Sequence, residues 1–451
     1  MRTARLIVVI AAALLAAGWF WWKYFRRPEQ FTDRGRLFPA VLAIGLLCRL
    51  AFVFFTPPFD APDEPSHFNY IRYLAEHHSL PVQRYRMDTA YQWEFSQPPV
   101  YYVAMTPLFL MGKTIFRGYV GALFAVRLGS VLLWLLNVWF GLIVLKRLQI
   151  ADKLMRSFVL ALICLLPTYT FVSSVINNDN LLATIGGAIL CLMLERARSV
   201  RGSLALGFVL GLAFLTKQSA VVFAPAIVLL FILDGRERRR HWSSALLHVF
   251  LVLGPALLLC LPWALRNWRI YGLLAPESLS VARLSWASSL IGLTSAVHNL
   301  VKTFWSVSGF SNNVGYPFPI AGFIFLWLCI IWREPHPSSL PRVQPAGDAT
   351  PPFTTPIPPK PDFLNRSLNR PFLSACLLAI AVNILLVLRL GYLFGMGQGR
   401  HLFPLLYPIA LILAARWRTF PAKNLEPYTT GIWIMYALGF LVFSIWCFPV
   451  T

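Results

Sequence analysis

The chain has 451 residues, of which 57% are apolar, 15% aromatic and only 13% charged, with a mean hydropathy of +0.63. A soluble domain carries about 25% charged residues, so an ordinary water-soluble enzyme is excluded, and the apolar excess excludes a disordered chain. The net charge of +22 would suit a nucleic-acid binder, but the 40 Lys and Arg are scattered between long apolar runs, the pattern of a polytopic membrane protein with no nucleic-acid partner.

Runs long enough to cross about 30 Å of hydrocarbon lie at 6–22, 37–55, 121–145, 157–176, 243–264, 372–390 and 428–447. Shorter candidates lie at 181–195, 203–216, 218–233, 319–332 and 401–415. The run 6–22 follows Arg2 and Arg5 as a signal sequence would, but no small-residue cleavage site follows it, so it reads as a retained anchor. The stretch 203–233 is flanked by Arg196, Arg198 and Arg201 on one side and by Arg236, Arg238, Arg239 and Arg240 on the other. The positive-inside tendency wants both clusters on the cytoplasmic side, which requires two crossings with a turn at Leu215-Thr216-Lys217-Gln218. The expectation is an all-α protein of about twelve spans with both termini outside, in which 24 of the 40 basic residues fall in cytoplasmic segments. It places the chain in the cytoplasmic (inner) membrane. The shortest spans, of about 14 residues and ~21 Å, would thin the bilayer or line a lateral opening.

The seven Cys (48, 164, 191, 260, 329, 376 and 447) all lie in apolar runs, which points to packing rather than disulfides or zinc. Residues 335–361 hold ten prolines and read as a disordered cytoplasmic loop. The organisation expected is an anchor and loop (1–36), a core module (37–264) with a large external loop (56–120), a second external loop and span (265–332), the Pro-rich loop (333–371) and C-terminal spans (372–451).

The carboxylates are the informative residues. Of 18 Asp and Glu, six (Asp60, Asp63, Glu64, Asp88, Glu76 and Glu94) fall within 60–94, directly after the 37–55 span. Pro65 suits the first turn of a helix, so Asp63-Glu64 stands where free backbone N–H groups favour negative charge. The spacing of Phe68, Ile71, Leu74 and Ala75 predicts an interfacial helix over Ser66–Ser79. A second such element begins at Ser96-Gln97-Pro98-Pro99 and runs through Val100, Tyr101 and Tyr102. On residues alone, Asp63-Glu64 reads first as a plain helix cap, and His67, His77 and His78 as solvated interfacial histidines rather than a metal set.

Further marks follow in order: Asn177-Asn178-Asp179-Asn180 between two spans, Gly211-Leu212 to Thr216-Lys217, Pro262-Trp263 with Arg266-Asn267, and Gln398-Gly399-Arg400. Together with Pro62-Asp63-Glu64-Pro65-Ser66-His67-Phe68 and Gln97-Pro98-Pro99-Val100-Tyr101-Tyr102, this series resembles the GT-C glycosyltransferases that use polyprenyl- or dolichyl-phosphate sugars. The likeness is to the protein O-mannosyltransferase and aminoarabinose-transferase branch. It implies a seven-span core with a large loop after its first span, matching 37–264, and an inverting transfer on the outer face. It also implies a polyprenyl-phosphate sugar as donor and a glycan, lipid or protein as acceptor.

By the resemblance, Asp63 matches the catalytic base, Glu64 its acidic companion and Asp179 a second loop carboxylate. Read without it, Asp179 is a turn residue. A lipid phosphate leaves as a stabilised anion, so one base and fixed cations suffice. Arg266, Arg400 and Lys217 are the candidates for the phosphate, with headgroup anchoring as the competing explanation. His67, Gln97, Tyr101 and Tyr102 are candidates for substrate contact. No cofactor or metal ligand set is assigned, and a divalent ion is left open. Two other readings compete, a transporter or lipid flippase and a non-catalytic scaffold in envelope polysaccharide assembly. The transporter would need ionisable groups deep in several spans, where the sequence offers only Arg49, Arg127 and Arg389, with no acidic partner inside a span.

Overall fold

The computed structural model describes residues 37–84, 91–150, 152–195, 199–237, 239, 241–276, 285–307, 317–331, 370–395, 397–417 and 429–447. The anchor run 6–22 and the Pro-rich stretch lie outside these residues. Among the described residues all regular structure is helical. In chain order the helices are α1 (Leu37–Phe55), α2 (Glu64–His77), α3 (Val100–Ile115), α4 (Tyr119–Arg147), α5 (Lys153–Leu165), α6 (Pro167–Val172), α7 (Asp179–Glu195) and α8 (Val200–Phe214). They continue with α9 (Phe223–Glu237), α10 (Trp242–Tyr271), α11 (Trp286–Trp305), α12 (Pro317–Ile331), α13 (Arg370–Phe394), α14 (Leu406–Trp417) and α15 (Thr429–Cys447). Short 3-10 turns, Gln218–Val222 and Gly399–Leu405, lead into α9 and α14.

Every apolar run predicted from residue 37 onward coincides with helix. Among the described residues, five helical stretches are long and apolar enough to cross a membrane: Leu37–Phe55, Tyr119–Arg147, Gln218–Glu237, Trp242–Tyr271 and Arg370–Phe394. The run 157–176 is broken rather than continuous. Pro167 forces Leu166 to an extended ψ of 115°, ending α5 and starting α6. The stretch 203–233 is two helices with the turn at Leu215–Lys217, as the flanking charge required. Two differences concern the region 265–318. Helix α10 continues to Tyr271, so Arg266 and Arg269 lie on its last turns, and α11 occupies part of the expected outer loop. Ser, Thr, His and Lys interrupt the apolar pattern of α11, which hid it.

One large core joins α1, α4, α5, α7, α8 and α9 to the C-terminal helices, and a smaller one joins α2, α3 and the start of α4. Arg49 in α1 is wholly buried and clamps the large core. Its guanidinium lies 3.8 Å from the Trp134 ring centre and donates to Ser173 Oγ (2.8 Å) and to the Cys164 carbonyl (2.7 Å). The described cysteines are free thiols, four of them buried, as packing residues should be.

Candidate active site

The site begins where α1 ends. Asp63 is the residue before α2 and adopts the left-handed conformation (φ 63°), which Asp tolerates better than most residues. Its carbonyl accepts from the N–H groups of Ser66 (3.1 Å) and His67 (3.0 Å), but its side chain makes no capping bond. The plain helix-cap reading therefore fails for Asp63. The carboxylate turns instead to Arg400, whose guanidinium donates to Asp63 Oδ2.

Glu64, the next residue, points the opposite way. It is fully buried, and Arg127 of α4 grips it through Nε to Oε1 (2.8 Å) and Nη2 to Oε2 (2.6 Å), while the Ile176 N–H donates to Oε1 (3.1 Å). The same guanidinium donates to the carbonyls of Val53 (3.0 Å), Thr56 (2.8 Å) and Pro57 (3.0 Å). Arg127 thus has an acidic partner, supplied by the first residue of α2 rather than by another span. This pair ties α4 to the segment that carries Asp63. Both Glu64 oxygens are taken up by these bonds, so the companion of Asp63 in sequence stands in the fold as a buried anchor.

Asp179 opens α7, with its N–H held by Asn177 Oδ1 (2.9 Å). Its Oδ1 receives Lys217 Nζ at 2.5 Å, and its Oδ2 lies 3.9 Å from Arg400 Nε. The turn carrying Lys217 is fastened to the start of α3 by Val100 N–H to Leu215 O (3.0 Å). Arg400 stands on its own 3-10 turn, and Gly399 lets that turn close on α11. The Gly399 N–H bonds Thr303 Oγ1 at 2.7 Å, and a Cβ at 399 would fall 2.2 Å from the Phe304 nitrogen. Two carboxylates and two cations from four separate segments thus form one cluster. Asn178 at both ends of its amide, Asp179 Oδ2, Asn180 Oδ1 and Arg400 Nε are buried there without a hydrogen-bond partner.

The other predicted residues fall differently. Arg266 is remote from this cluster in its contacts. It donates to the carbonyls of Pro81 (2.5 Å) and Leu80 (3.4 Å) and lies over Trp263. Tyr101 and Tyr102 are fully buried in the smaller core, where Tyr102 stacks on Tyr70 at 3.7 Å, so neither presents a face to a substrate. Gln97 accepts Tyr70 OH on its carbonyl (3.3 Å), and its Oε1 is buried without a partner. His67 is buried rather than solvated, with Nδ1 2.9 Å from Tyr102 OH.

Glu94 is the site residue that sequence reasoning passed over, although it belongs to the 60–94 acidic cluster. Its N–H donates to Ser66 Oγ (2.9 Å), and its carboxylate lies with those of Asp63 and the His67 ring so that one ligand atom from each falls within 4.8 Å of the others. That trio could hold a divalent cation. The electrostatics separate its members. Burial by itself would raise Asp63, but Arg400, His67 and Lys217 hold it far below the usual carboxylate range. Burial and the neighbouring Asp63 push Glu94 up to about 8, and burial lowers His67 to about 3. Near neutral pH the site therefore contains an ionised Asp63, a protonated Glu94 and a neutral His67.

Comparison with known proteins gives a family-model match over part of the chain and a shared fold. Residues 98–265 match the family model for dolichyl-phosphate-mannose-protein mannosyltransferase. The ligand-free crystal structure of ArnT from Cupriavidus metallidurans shares the fold at TM-score 0.51 and 12% identity, over 90% of this chain and 75% of its own. The same protein bound to undecaprenyl phosphate aligns at TM-score 0.51 and 12% identity, over 90% of this chain and 76% of its own. The oligosaccharyltransferase of Archaeoglobus fulgidus aligns at TM-score 0.46 and 13% identity, over 94% of this chain and 56% of its own, a likeness too loose to argue from. A search of curated proteins finds no match.

Proposed function

We propose that the chain moves a sugar from a polyprenyl-phosphate donor to an acceptor hydroxyl, with inversion, at the Asp63 end of the helical bundle on the outer face of the cytoplasmic membrane. The observation that carries the reading is the contact between Arg400 and Asp63, with Asp179 and Lys217 beside them. One partly exposed carboxylate, able to act as base, shares its cation with a position where an anionic phosphate would bind. Support for the donor class comes from the fold shared with ArnT of Cupriavidus metallidurans, crystallised with undecaprenyl phosphate. Support for the side comes from the basic residues, 24 of 40 of which fall in segments assigned to the cytoplasm.

The two cations already balance two carboxylates. An entering phosphodiester competes for Arg400 and Lys217, because a guanidinium fork suits phosphate oxygens and an ammonium adds a point charge. As Arg400 turns to the phosphate, Asp63 loses the charge that suppresses its basicity. The base is therefore strengthened by the arrival of the donor. Asp63 then takes the proton of the acceptor hydroxyl, and the hydroxyl oxygen bonds to the anomeric carbon. The bond from that carbon to the phosphate oxygen breaks, and the polyprenyl phosphate leaves with the electron pair, needing no general acid. Attack from the side opposite the leaving group inverts the centre, as in inverting glycosidases. Protonated Glu94 is a hydrogen-bond donor beside the base, suited to a sugar or acceptor hydroxyl. Glu64 positions Asp63 and moves no proton.

The test is Asp63→Asn in the purified full chain with a polyprenyl-phosphate sugar. Transfer falls at least about 100-fold, the scale of a lost general base, while membrane insertion and undecaprenyl phosphate binding persist. Normal turnover by that variant would end the base assignment.

A further inference from the structure

At the end of the bundle remote from Asp63, α9, α10 and the turn between them flank an open-sided cavity of about 370 Å³ lined by Gly235, Arg236, Arg239, His241, Trp242 and Ala245 among others. The distance follows from the helices. After the Lys217 turn, α9 runs from Phe223 to Gly235 at the cavity, about 18 Å of helix. The 30-residue helix α10 then returns, and its last turns carry Arg266, which touches the loop after α2.

The charge on the cavity wall has one sign. Arg236 and Arg239 line it, with Arg238 and Arg240 adjacent in sequence. Of the nearby acids, Asp234 is buried and already engaged, and Glu237 is exposed outside the lining. The space is open at Gly235, where a Cβ would meet only Ala245 at 3.6 Å. The His241 side chain does not cap α10, so the first-turn N–H groups add to the positive potential. Below Trp242, which is 59% exposed, α10 presents Leu246 (65%) and Phe250 (72%) four residues apart in one apolar stripe.

We propose that this cavity binds the headgroup of an anionic glycerophospholipid, with Arg236 and Arg239 on the phosphate and the acyl chains along the stripe of Trp242, Leu246 and Phe250. Charge complementarity selects this occupant, since basic pockets between membrane helices hold anionic lipid heads and arginine forks match phosphate oxygens. Orientation by the positive-inside tendency accounts for arginines at this end, but not for a cavity between two helices floored by a glycine. A free phosphate ion shares the headgroup chemistry and makes no use of the stripe.

The experiment is native mass spectrometry of the full chain released from mixed micelles of phosphatidylglycerol and phosphatidylcholine, with melting temperature followed in parallel. The wild type retains phosphatidylglycerol over phosphatidylcholine by about tenfold or more, given about 1 kcal/mol per basic residue near an anionic lipid. R236Q/R239Q loses that preference, as does Gly235→Leu, which fills the cavity without touching a charge. Arg156→Gln, at an exposed arginine of α5, keeps it. If R236Q/R239Q does not fold, the glycine variant decides. Equal retention of the two lipids by the wild type, or unchanged preference in the variants, overturns the proposal. So does inorganic phosphate stabilising the wild type as strongly as phosphatidylglycerol, which would make this a free-anion site.

Discussion

Arg400 donates a side-chain hydrogen bond to Asp63 across 337 positions of the chain. The acidic loop after α1 and the short turn before α14 each carry half of this pair, and neither half has the properties of the site alone. Without Arg400, Asp63 would lose the main charge that offsets its burial. Without Asp63 and Asp179, Arg400 would be a buried cation without counter-charge, which is costly.

The same pair sets an expectation for binding. Asp63→Asn removes the charge that competes with phosphate for Arg400, so undecaprenyl phosphate should bind this variant more tightly than the wild type while transfer is lost. Binding titrations in nanodiscs check this, and weaker binding would mean that Arg400 does not exchange partners.

Removing the cation gives the reciprocal result. In Arg400→Gln, Asp63 is no longer held low by its main partner, so its proton affinity rises. The acid limb of kcat/KM should move to higher pH, and KM for the donor should increase. A limb that stays in place would show that another group controls the base.

The Glu64–Arg127 pair predicts a stability effect separable from catalysis. Both side chains are fully buried, and breaking such a pair from one side costs about 3–5 kcal/mol. Glu64→Gln and Arg127→Met should each melt well below the wild type. The double variant Glu64→Leu/Arg127→Met should recover much of the stability. It should not recover transfer, because the carbonyls of Val53, Thr56 and Pro57 lose the donor that shapes the loop before Asp63.

Glu94 has the opposite linkage to Asp63. Its folded value is raised from 4.5 to about 8, so the folded state holds a proton that the unfolded chain has released. Its contribution is complete below pH about 4.5 and declines as pH rises toward 8. Glu94→Gln should therefore flatten the stability–pH curve in that window and melt higher than the wild type at alkaline pH. Melting temperatures across the range check the sign.

Gly399 tests how the Arg400 turn is held. A Cβ there would collide with the α11 backbone at Phe304, so Gly399→Ala must shift the turn and carry Arg400 away from Asp63. Transfer should fall at least about tenfold, the penalty of sub-ångström misplacement at a reacting centre being of this order or larger, while expression is retained. Full activity would mean that α11 and the turn part easily.

Much of the fold is written along the chain because a bilayer restricts the choices: apolar length fixes the helices, and basic residues at their ends fix the turns. The division of 203–233 into α8 and α9 was legible from seven flanking arginines. So was the place to look, since few carboxylates can be afforded near hydrocarbon and six stood in one loop. Asp63, Asp179, Lys217 and Arg400 were all nameable from motif order. What each does was not. Adjacent Asp63 and Glu64 point to opposite sides of a helix start, one to Arg400 and one into a buried clamp with Arg127.

Local pattern also could not separate Arg266 from Arg400, two arginines after apolar runs, because what distinguishes them is which distant segments they meet. Glu94 and His67 owe their protonation states to burial, a property of packing and not of neighbours in sequence. The sequence by itself determined a polytopic helical protein with an acidic loop near its start, through hydropathy and charge that act residue by residue. Only the tertiary structure decided that two carboxylates and two cations meet, and which of the remaining polar residues are anchors, because desolvation and charge pairing depend on distances that the chain closes only when it folds.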